Sequence, residues 1–436
     1  MEPSVFGESF LWRTLLKGVR RLQFLHAWAT EKLSSLNRWL LVVLLFACIF
    51  MPRFEAGSVT AFYRIDFRLE DLLLTMLGLL LLVRMTQARS LPEIPAVEKT
   101  FLWFLLALQI SIVNGLVFRT IDKPVLSFFY LLKWVEYFLV FVVTCRVTTS
   151  EEAASFFLKT FFLLGIAVAC FGYWEHFFPM SKATYPNYYR LFERPPFHGD
   201  ANHIGGLLVI WMGLVTGLFL KAQKRLIQVG LLASLVWVFF PLIWTYSRKS
   251  YFALAGAFAF AFVFRGVRKR LLFLTSFLVI LSLALPTRFS ERLTDLGEAF
   301  GSVDPFHSSW ATNWVMWKQA LWNFQSFFLF GSGLGSRHRL FYESQYILIL
   351  TESGIFGALT FTFLGFSLIR QAVKALHARL GKQTEGLALG WLIAFVGLLI
   401  HDFSCVSLTV SKIAIPFWFL TGFTLSRFKS LRGILS

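Results

Sequence analysis

The sequence predicts an all-α polytopic membrane protein with about twelve transmembrane helices and one large polar loop that contains short helices of its own. Three observations lead there. The 436-residue chain is 57% hydrophobic and only 15% charged, with a mean hydropathy of +0.65, too little polar surface to cover a water-soluble core. The apolar residues come in successive runs close to the roughly 20 helical residues that cross a hydrocarbon core of about 30 Å. Lys and Arg are spread unevenly over alternate connections, the asymmetry that cytoplasmic loops impose.

Taken in order, residues 1–38 form a basic leading segment. Phe10, Leu11, Leu15, Leu16, Val19, Leu22 and Phe24 recur there at near-helical spacing, which fits either a helix lying in the membrane interface or a plain cytoplasmic arm. The first nine spans are expected within 39–287, at 39–52, 70–83, 100–118, 124–145, 153–178, 203–220, 226–246, 250–264 and 271–287. A polar loop occupies 288–343. Three more spans follow within 344–427, at 344–369, 385–405 and 411–427, and 428–436 is a short tail. The basic start precedes a long first span with no small-residue cleavage pattern, so no removed signal peptide is expected.

The formal net charge of +18 is not arranged as a nucleic-acid module, because no basic amphipathic segment interleaves cations with aromatics outside the apolar runs. Attraction to anionic membrane lipid is the better reading, and nucleic acid is not an expected partner. Cys48, Cys145, Cys170 and Cys405 lie in or beside apolar runs without ligand spacing, which favours neither a disulfide framework nor a zinc site. With the N-terminus inside, the inner segments hold the larger share of the 42 Lys and Arg, in dense groups such as Arg265, Arg268, Lys269 and Arg270. Both termini are therefore expected in the cytoplasm.

That orientation puts three polar stretches on the outer face: 179–203, 245–250 and 288–343. They carry Lys182, Arg190, Arg194, Arg248, Lys249, Arg288, Arg292, Lys318, Arg337 and Arg339. Cations held beside apolar walls are costly unless a ligand or partner uses them, so an anion is expected there. Within the large loop, Trp314, Trp317, Leu321, Phe324 and Phe328 predict a surface helix over 311–328.

Four smaller constellations stand out. In Tyr246-Ser247-Arg248-Lys249-Ser250 the arginine is either a snorkelling helix-end residue or a phosphate clamp, and the surrounding cations favour the clamp. His198-Gly199-Asp200-Ala201-Asn202-His203 opens a span and fits both a helix cap and an anion-facing N-terminus; no strict metal-ligand motif accompanies its histidines. Gly331, Gly333 and Gly335 read as a flexible turn, since no strand-to-helix context makes them a nucleotide loop. Lys133 and Glu136 lie one helical turn apart and are expected to neutralise each other. Glu175, His176, His401 and Asp402 fall near the outer ends of their spans, where they either line a shared cavity or anchor the interface.

The last constellation, Glu343-Ser344-Gln345-Tyr346-Ile347-Leu348-Ile349-Leu350-Thr351-Glu352-Ser353-Gly354-Ile355-Phe356-Gly357, resembles the segment that ends the large periplasmic loop of the bacterial O-antigen ligase and polymerase family. In the same order come the Asn202 region, Thr245-Tyr246-Ser247-Arg248, and Trp317 to Gly335. The resemblance covers roughly residues 195 to 365. It implies a metal-independent, cofactor-free glycosyltransferase of the bacterial inner membrane, working on the periplasmic face. Its implied partners are a glycan on undecaprenyl diphosphate, a glycan or lipid acceptor, membrane lipids and chain-length regulator proteins.

Glu343 is expected to act as base or acceptor anchor, and Arg248 with Arg288, Arg292, Arg337 or Arg339 to hold the diphosphate. Arg190, Arg194, Asn202, His203, Gln345 and Tyr346 complete the expected substrate-binding set. Two positions depart from the family: Glu343-Ser344 stands where ligases usually carry His-Asn, and Asn313 where many members carry Arg. The acidic residue favours polymerisation of lipid-linked repeat units. Ligation to lipid A core or another acceptor is the near alternative, and a flippase of lipid-linked sugars is an alternative of another class.

Overall fold

The computed structural model describes residues 35–51, 54–60, 63–87, 95–148, 150–178, 191–192, 201–283, 309–336, 343–378 and 380–435. A helix lies at each of the twelve stretches that the sequence marks as apolar. The first nine are α1 (Ser35–Phe50), α2 (Leu69–Gln87), α3 (Ala96–Val117), α4 (Pro124–Val147), α5 (Glu151–Phe177), α6 (Ala201–Lys221), α7 (Arg225–Trp244), α8 (Arg248–Ala261) and α9 (Arg268–Leu283). The polar loop contributes α10 (Ser309–Ser326), and α11 (Gln345–His377), α12 (Lys382–His401) and α13 (Ser411–Leu435) close the chain.

Seven of these, α3, α4, α5, α6, α7, α11 and α12, are long and apolar enough to cross a membrane, and α1 is apolar but shorter. Seven of the twelve expected spans meet that measure among the described residues. Of the others, α8 has 14 residues and α9 has 16 among those described, and α2 and α13 carry charges within the run.

One element was not expected. Phe54–Thr60 (β1) and Tyr63–Phe67 (β2) pair as an antiparallel hairpin between α1 and α2, with Phe54 opposite Phe67 and Thr60 opposite Tyr63. The alternation in Tyr63-Arg64-Ile65-Asp66-Phe67 is a strand period, too short to compete with the apolar runs around it.

Two helices form the centre. In α6 and α12, 89% and 83% of the apolar window is buried, against 39–44% in the other five spans. Their contact is backbone on backbone. A Cβ added to Gly213 would lie 2.6 Å from Ala394 Cα, and one added to Gly217 would overlap the backbone of Gly390. With hydrocarbon outside as well as inside, helices gain little from apolar burial, and close approach through small residues supplies dispersion contacts instead.

Ion pairs fix the ends of the bundle. On one face Lys221 meets Glu385 (2.9 Å), Arg146 meets Glu98 (3.4 Å) and Arg427 meets Glu151 (2.5 Å), tying α6 to α12, α4 to α3 and α13 to α5. On the opposite face Lys133 bridges Glu136 (2.8 Å), as the sequence predicts, and also Asp71 (2.7 Å). Arg68 pairs with Glu70 (3.1 Å) and donates to Ser411 Oγ (3.3 Å). Charges this deep persist only with partners, so α2, α4 and α13 are locked in register there.

The glycine seam yields a direct test. Gly217→Leu is expected to lower stability by about 3 kcal/mol through overpacking, read as a fall in the thermal unfolding temperature of the detergent-solubilised protein. Gly230→Leu, where an added Cβ meets nothing within 4 Å, is expected to leave it unchanged.

Candidate functional site

The face carrying the Lys133 pairs also carries the polar cluster, and a break in α11 builds its floor. Gly354 has φ 66° and ψ −169°, so the helical ladder stops there. The released groups are taken up by residues 327–335. Ile355 N–H donates to Phe328 O (2.9 Å) and Phe356 N–H to Leu329 O (3.1 Å), while Thr351 O and Glu352 O accept from Ser332 N–H (2.9 Å) and Gly333 N–H (3.0 Å). From α3 and the turn after it, Ser111 donates to Glu352 O, Asn114 to Gly331 O and Thr120 to Ser332 O.

Gly331, Gly333 and Gly335 all have positive φ (74°, 101° and 82°), a region open to glycine at little cost. The turn read as flexible from sequence is thus held from both sides, because it caps the broken helix. The Glu352 carboxylate accepts Gly335 N–H (3.1 Å) and borders a cavity of about 20 Å³ together with Lys133, Tyr137 and Gln345. That volume suits a single water and excludes a sugar.

The cluster itself starts at the α7–α8 seam. Tyr246 turns the chain with φ 49°, Ser247 caps α8, accepting from Ser250 N–H (3.4 Å), and Arg248 and Lys249 fill the first turn. Lys249 Nζ lies 2.5 Å from Glu343 Oε2, and Asn313 Nδ2 of α10 donates to the same oxygen at 3.2 Å. Lys249 and Glu343 retain side-chain exposures of 19% and 33%, so the pair is open to an incoming ligand. α10 is seated by Trp317, whose ring packs edge-on to Phe403 at 5.3 Å, while Trp314 and Trp322 stay exposed. The helix predicted over 311–328 is present, two residues earlier at each end.

Behind this opening runs a buried polar chain. Ser250 Oγ donates to Ser247 Oγ (3.0 Å) and lies 3.4 Å from His401 Nε2. His401 Nδ1 pairs with Ser407 Oγ (2.7 Å), and Ser407 N–H donates to Asp402 Oδ1 (3.0 Å). Gly205 and Gly206 of α6 make room: a Cβ at 205 would overlap Ser250 Oγ, and one at 206 would sit 2.9 Å from His401 Cε1. Burial raises the Asp402 carboxyl well above its ordinary value, against the opposing hydrogen bond from Ser407. Burial also pushes the Cys405 thiol up, but the charges and hydrogen bonds of His401 and His203 draw it well below its usual range.

Parts of the three polar stretches therefore meet: His203 from the first, Ser247 to Ser250 from the second, Asn313 and Glu343 from the third, whereas Leu191 and Phe192 of the first lie by Trp244 and Glu175. Arg248 is half-buried beside Lys249, and Asn202 and His203 open α6. Gln345 is fully buried; its N–H donates to Asp402 O (2.9 Å) and Cys405 O (3.1 Å), and its side chain borders the small cavity. Tyr346 lies at the edge and donates to Leu399 O (2.6 Å).

Arg190, Arg194, Arg288, Arg292, Arg337 and Arg339 lie outside the described residues, as do His198, Asp200 and the leading segment 1–34. Glu175 and His176 serve another place: Glu175 accepts Phe192 N–H (2.7 Å) and His176 stacks on Trp244 at 3.8 Å. Among the described residues, no group of three or more His, Cys, Asp or Glu side chains is set to hold a metal ion.

Sequence reasoning missed the pairing of Lys249 with Glu343 and the places of Ser407 and Cys405. Only the opposite charges of Lys249 and Glu343 hinted at the first, and 94 residues separate them.

Residues 233–362 match the O-antigen ligase family. This segment belongs to that family. No curated protein matches the chain. The O-antigen ligase segment contains Arg248, Lys249, Asn313, the 331–335 turn, Glu343 and Gly354, while His203, His401, Asp402, Cys405 and Ser407 lie outside it. The match of this segment supports glycosyl transfer in a membrane, in the assembly of a polysaccharide, with a lipid-linked glycan and an acceptor as substrates.

Because a Cβ at Gly331 would overlap Glu352 O, Gly331→Ala is expected to cost more than the ~1–3 kcal/mol of a strained left-handed residue. The corresponding fall in thermal unfolding temperature should exceed that of Gly266→Ala, where an added Cβ meets nothing within 4 Å.

Proposed function

We propose that the chain is a glycosyltransferase of the bacterial inner membrane that works on the periplasmic face, with both termini in the cytoplasm. It lengthens a surface polysaccharide by moving a growing glycan from undecaprenyl diphosphate to a sugar hydroxyl of another lipid-linked repeat unit. The observation that carries this reading is the meeting of Lys249, Glu343 and Asn313 next to Arg248, where α7 gives way to α8.

In the transfer, the acceptor hydroxyl oxygen bonds to the anomeric carbon of the donor glycan. The bond from that carbon to the diphosphate oxygen breaks, and its electron pair leaves with undecaprenyl diphosphate. The hydroxyl proton passes to the Glu343 carboxylate. Arg248, with Arg288, Arg292, Arg337 or Arg339, takes the charge that develops on the leaving group, a role suited to a guanidinium with its planar fork of donors. Arg190, Arg194, Asn202, His203 and Tyr346 fall to the binding of lipid-linked sugar. Gln345 is buried and is assigned to holding the floor of the site. The sugar–diphosphate bond is already activated, so alignment and proton transfer suffice. Chain-length regulator proteins are proposed partners.

A second reading, ligation of the finished glycan to lipid A core or another acceptor, is favoured by the description of the family itself. The experiment supplies the protein in lipid nanodiscs with purified undecaprenyl-diphosphate-linked repeat units, with and without a core acceptor. A ladder of longer lipid-linked chains is the expected result, and a single modified acceptor would establish the ligase instead. Arg248→Ala is expected to reduce turnover at least 100-fold, on the order of the loss of one transition-state donor, and Glu343→Gln to slow turnover more than donor binding. No new glycosidic bond under any arm would overturn both readings.

A further inference from the structure

Lys249 Nζ and Glu343 Oε2 are paired, so each shares with the other the charge that a substrate would use. Resting on the glycosyl-transfer reading above, we propose that Lys249 is a diphosphate-binding residue held by Glu343 until the donor arrives, so that donor binding frees the carboxylate for the acceptor proton.

The geometry supports an exchange of partners. Glu343 Oε2 accepts from Lys249 Nζ at 2.5 Å and from Asn313 Nδ2 at 3.2 Å. Oε2 is thereby filled and the carboxylate shares its charge with the ammonium, so turning Lys249 away returns that oxygen and that charge to the acceptor hydroxyl. Lys249 is a compact charge on a flexible stem, and 19% of its side chain is exposed. It can therefore swing to a new anion without moving α8.

A diphosphate is a stronger competitor than a carboxylate, since it carries more charge and more acceptor oxygens. Lys249 also follows Arg248 in the first turn of a 14-residue helix, where backbone N–H groups and the helix dipole favour the same anion. Once Lys249 turns to the diphosphate, Glu343 keeps the amide of Asn313, which holds the carboxylate in place without neutralising it. The donor thus enters first, and the acceptor finds a working base only when the leaving group is already held.

The test measures binding of undecaprenyl diphosphate itself, without glycan, to the full chain in nanodiscs. Glu343→Gln removes the competing charge and is expected to bind the lipid about three- to tenfold more tightly while losing transfer, in line with the coupling of close charge pairs. Lys249→Gln is expected to weaken binding by a similar factor, and in the double variant the gain from Glu343→Gln should vanish.

Equal or weaker binding by Glu343→Gln, in a wild-type protein that does transfer glycan, overturns the exchange and leaves the activity standing. A wild-type protein that neither binds the lipid nor transfers glycan overturns both. Lys249→Met gives a second reading of the lysine, so that a folding defect in one variant cannot decide the outcome.

Discussion

A backbone that leaves the helical ladder inside a membrane must find partners for every N–H and C=O it releases, because hydrocarbon offers none. At Gly354 this requirement shapes a large part of the molecule. The two carbonyls before the break and the two N–H groups after it are all taken by residues 328–333, and α3 braces that segment from the other side through Ser111 and Asn114. The polar loop therefore returns to one fixed place. Its last residue, Glu343, meets Lys249 in the first turn of α8.

Polar side chains follow the same logic in two layers. The outer layer, Lys249, Glu343 and Asn313, is paired within itself and partly open, as a site that exchanges ligands requires. The inner layer, Ser250, His401, Ser407 and Asp402, is closed and hydrogen-bonded in sequence, which fixes the start of α8 against α6 and α12. Glycines 205 and 206 are the condition for that arrangement, since any side chain there would occupy the space of Ser250 and His401. The O-antigen ligase segment holds the open layer, and flanking helices provide the closed one.

Much of this was legible in the sequence. Each apolar run corresponds to a helix because run length and hydrocarbon thickness are tied by simple geometry. The Lys133–Glu136 pair and the surface helix around Trp317 followed from spacing within one helix. The polar motifs at 245–250 and 343–346 stood out because charges beside apolar walls are costly, and they meet through Lys249 and Glu343. Relations between distant segments were not legible. Nothing local announces that Gly331 and Gly354 form one unit, that Asp71 completes the Lys133 pair, or that Lys249 faces Glu343, because each depends on packing that brings separate helices together. The hairpin at 54–67 was hidden by its brevity, and the reading of the glycine turn as loose came from composition alone.

The seam between α6 and α12 has a mechanical consequence. Where Gly217 lies on Gly390 there are no side chains to rotate, so neither helix can slide or tilt past the other without the main chains colliding. Rocking of two halves about a central axis, the motion on which alternating-access carriers rely, has no room at this axis. Movements that admit a lipid-linked substrate fall instead to helices outside this seam, while the middle of the bundle serves as a fixed post.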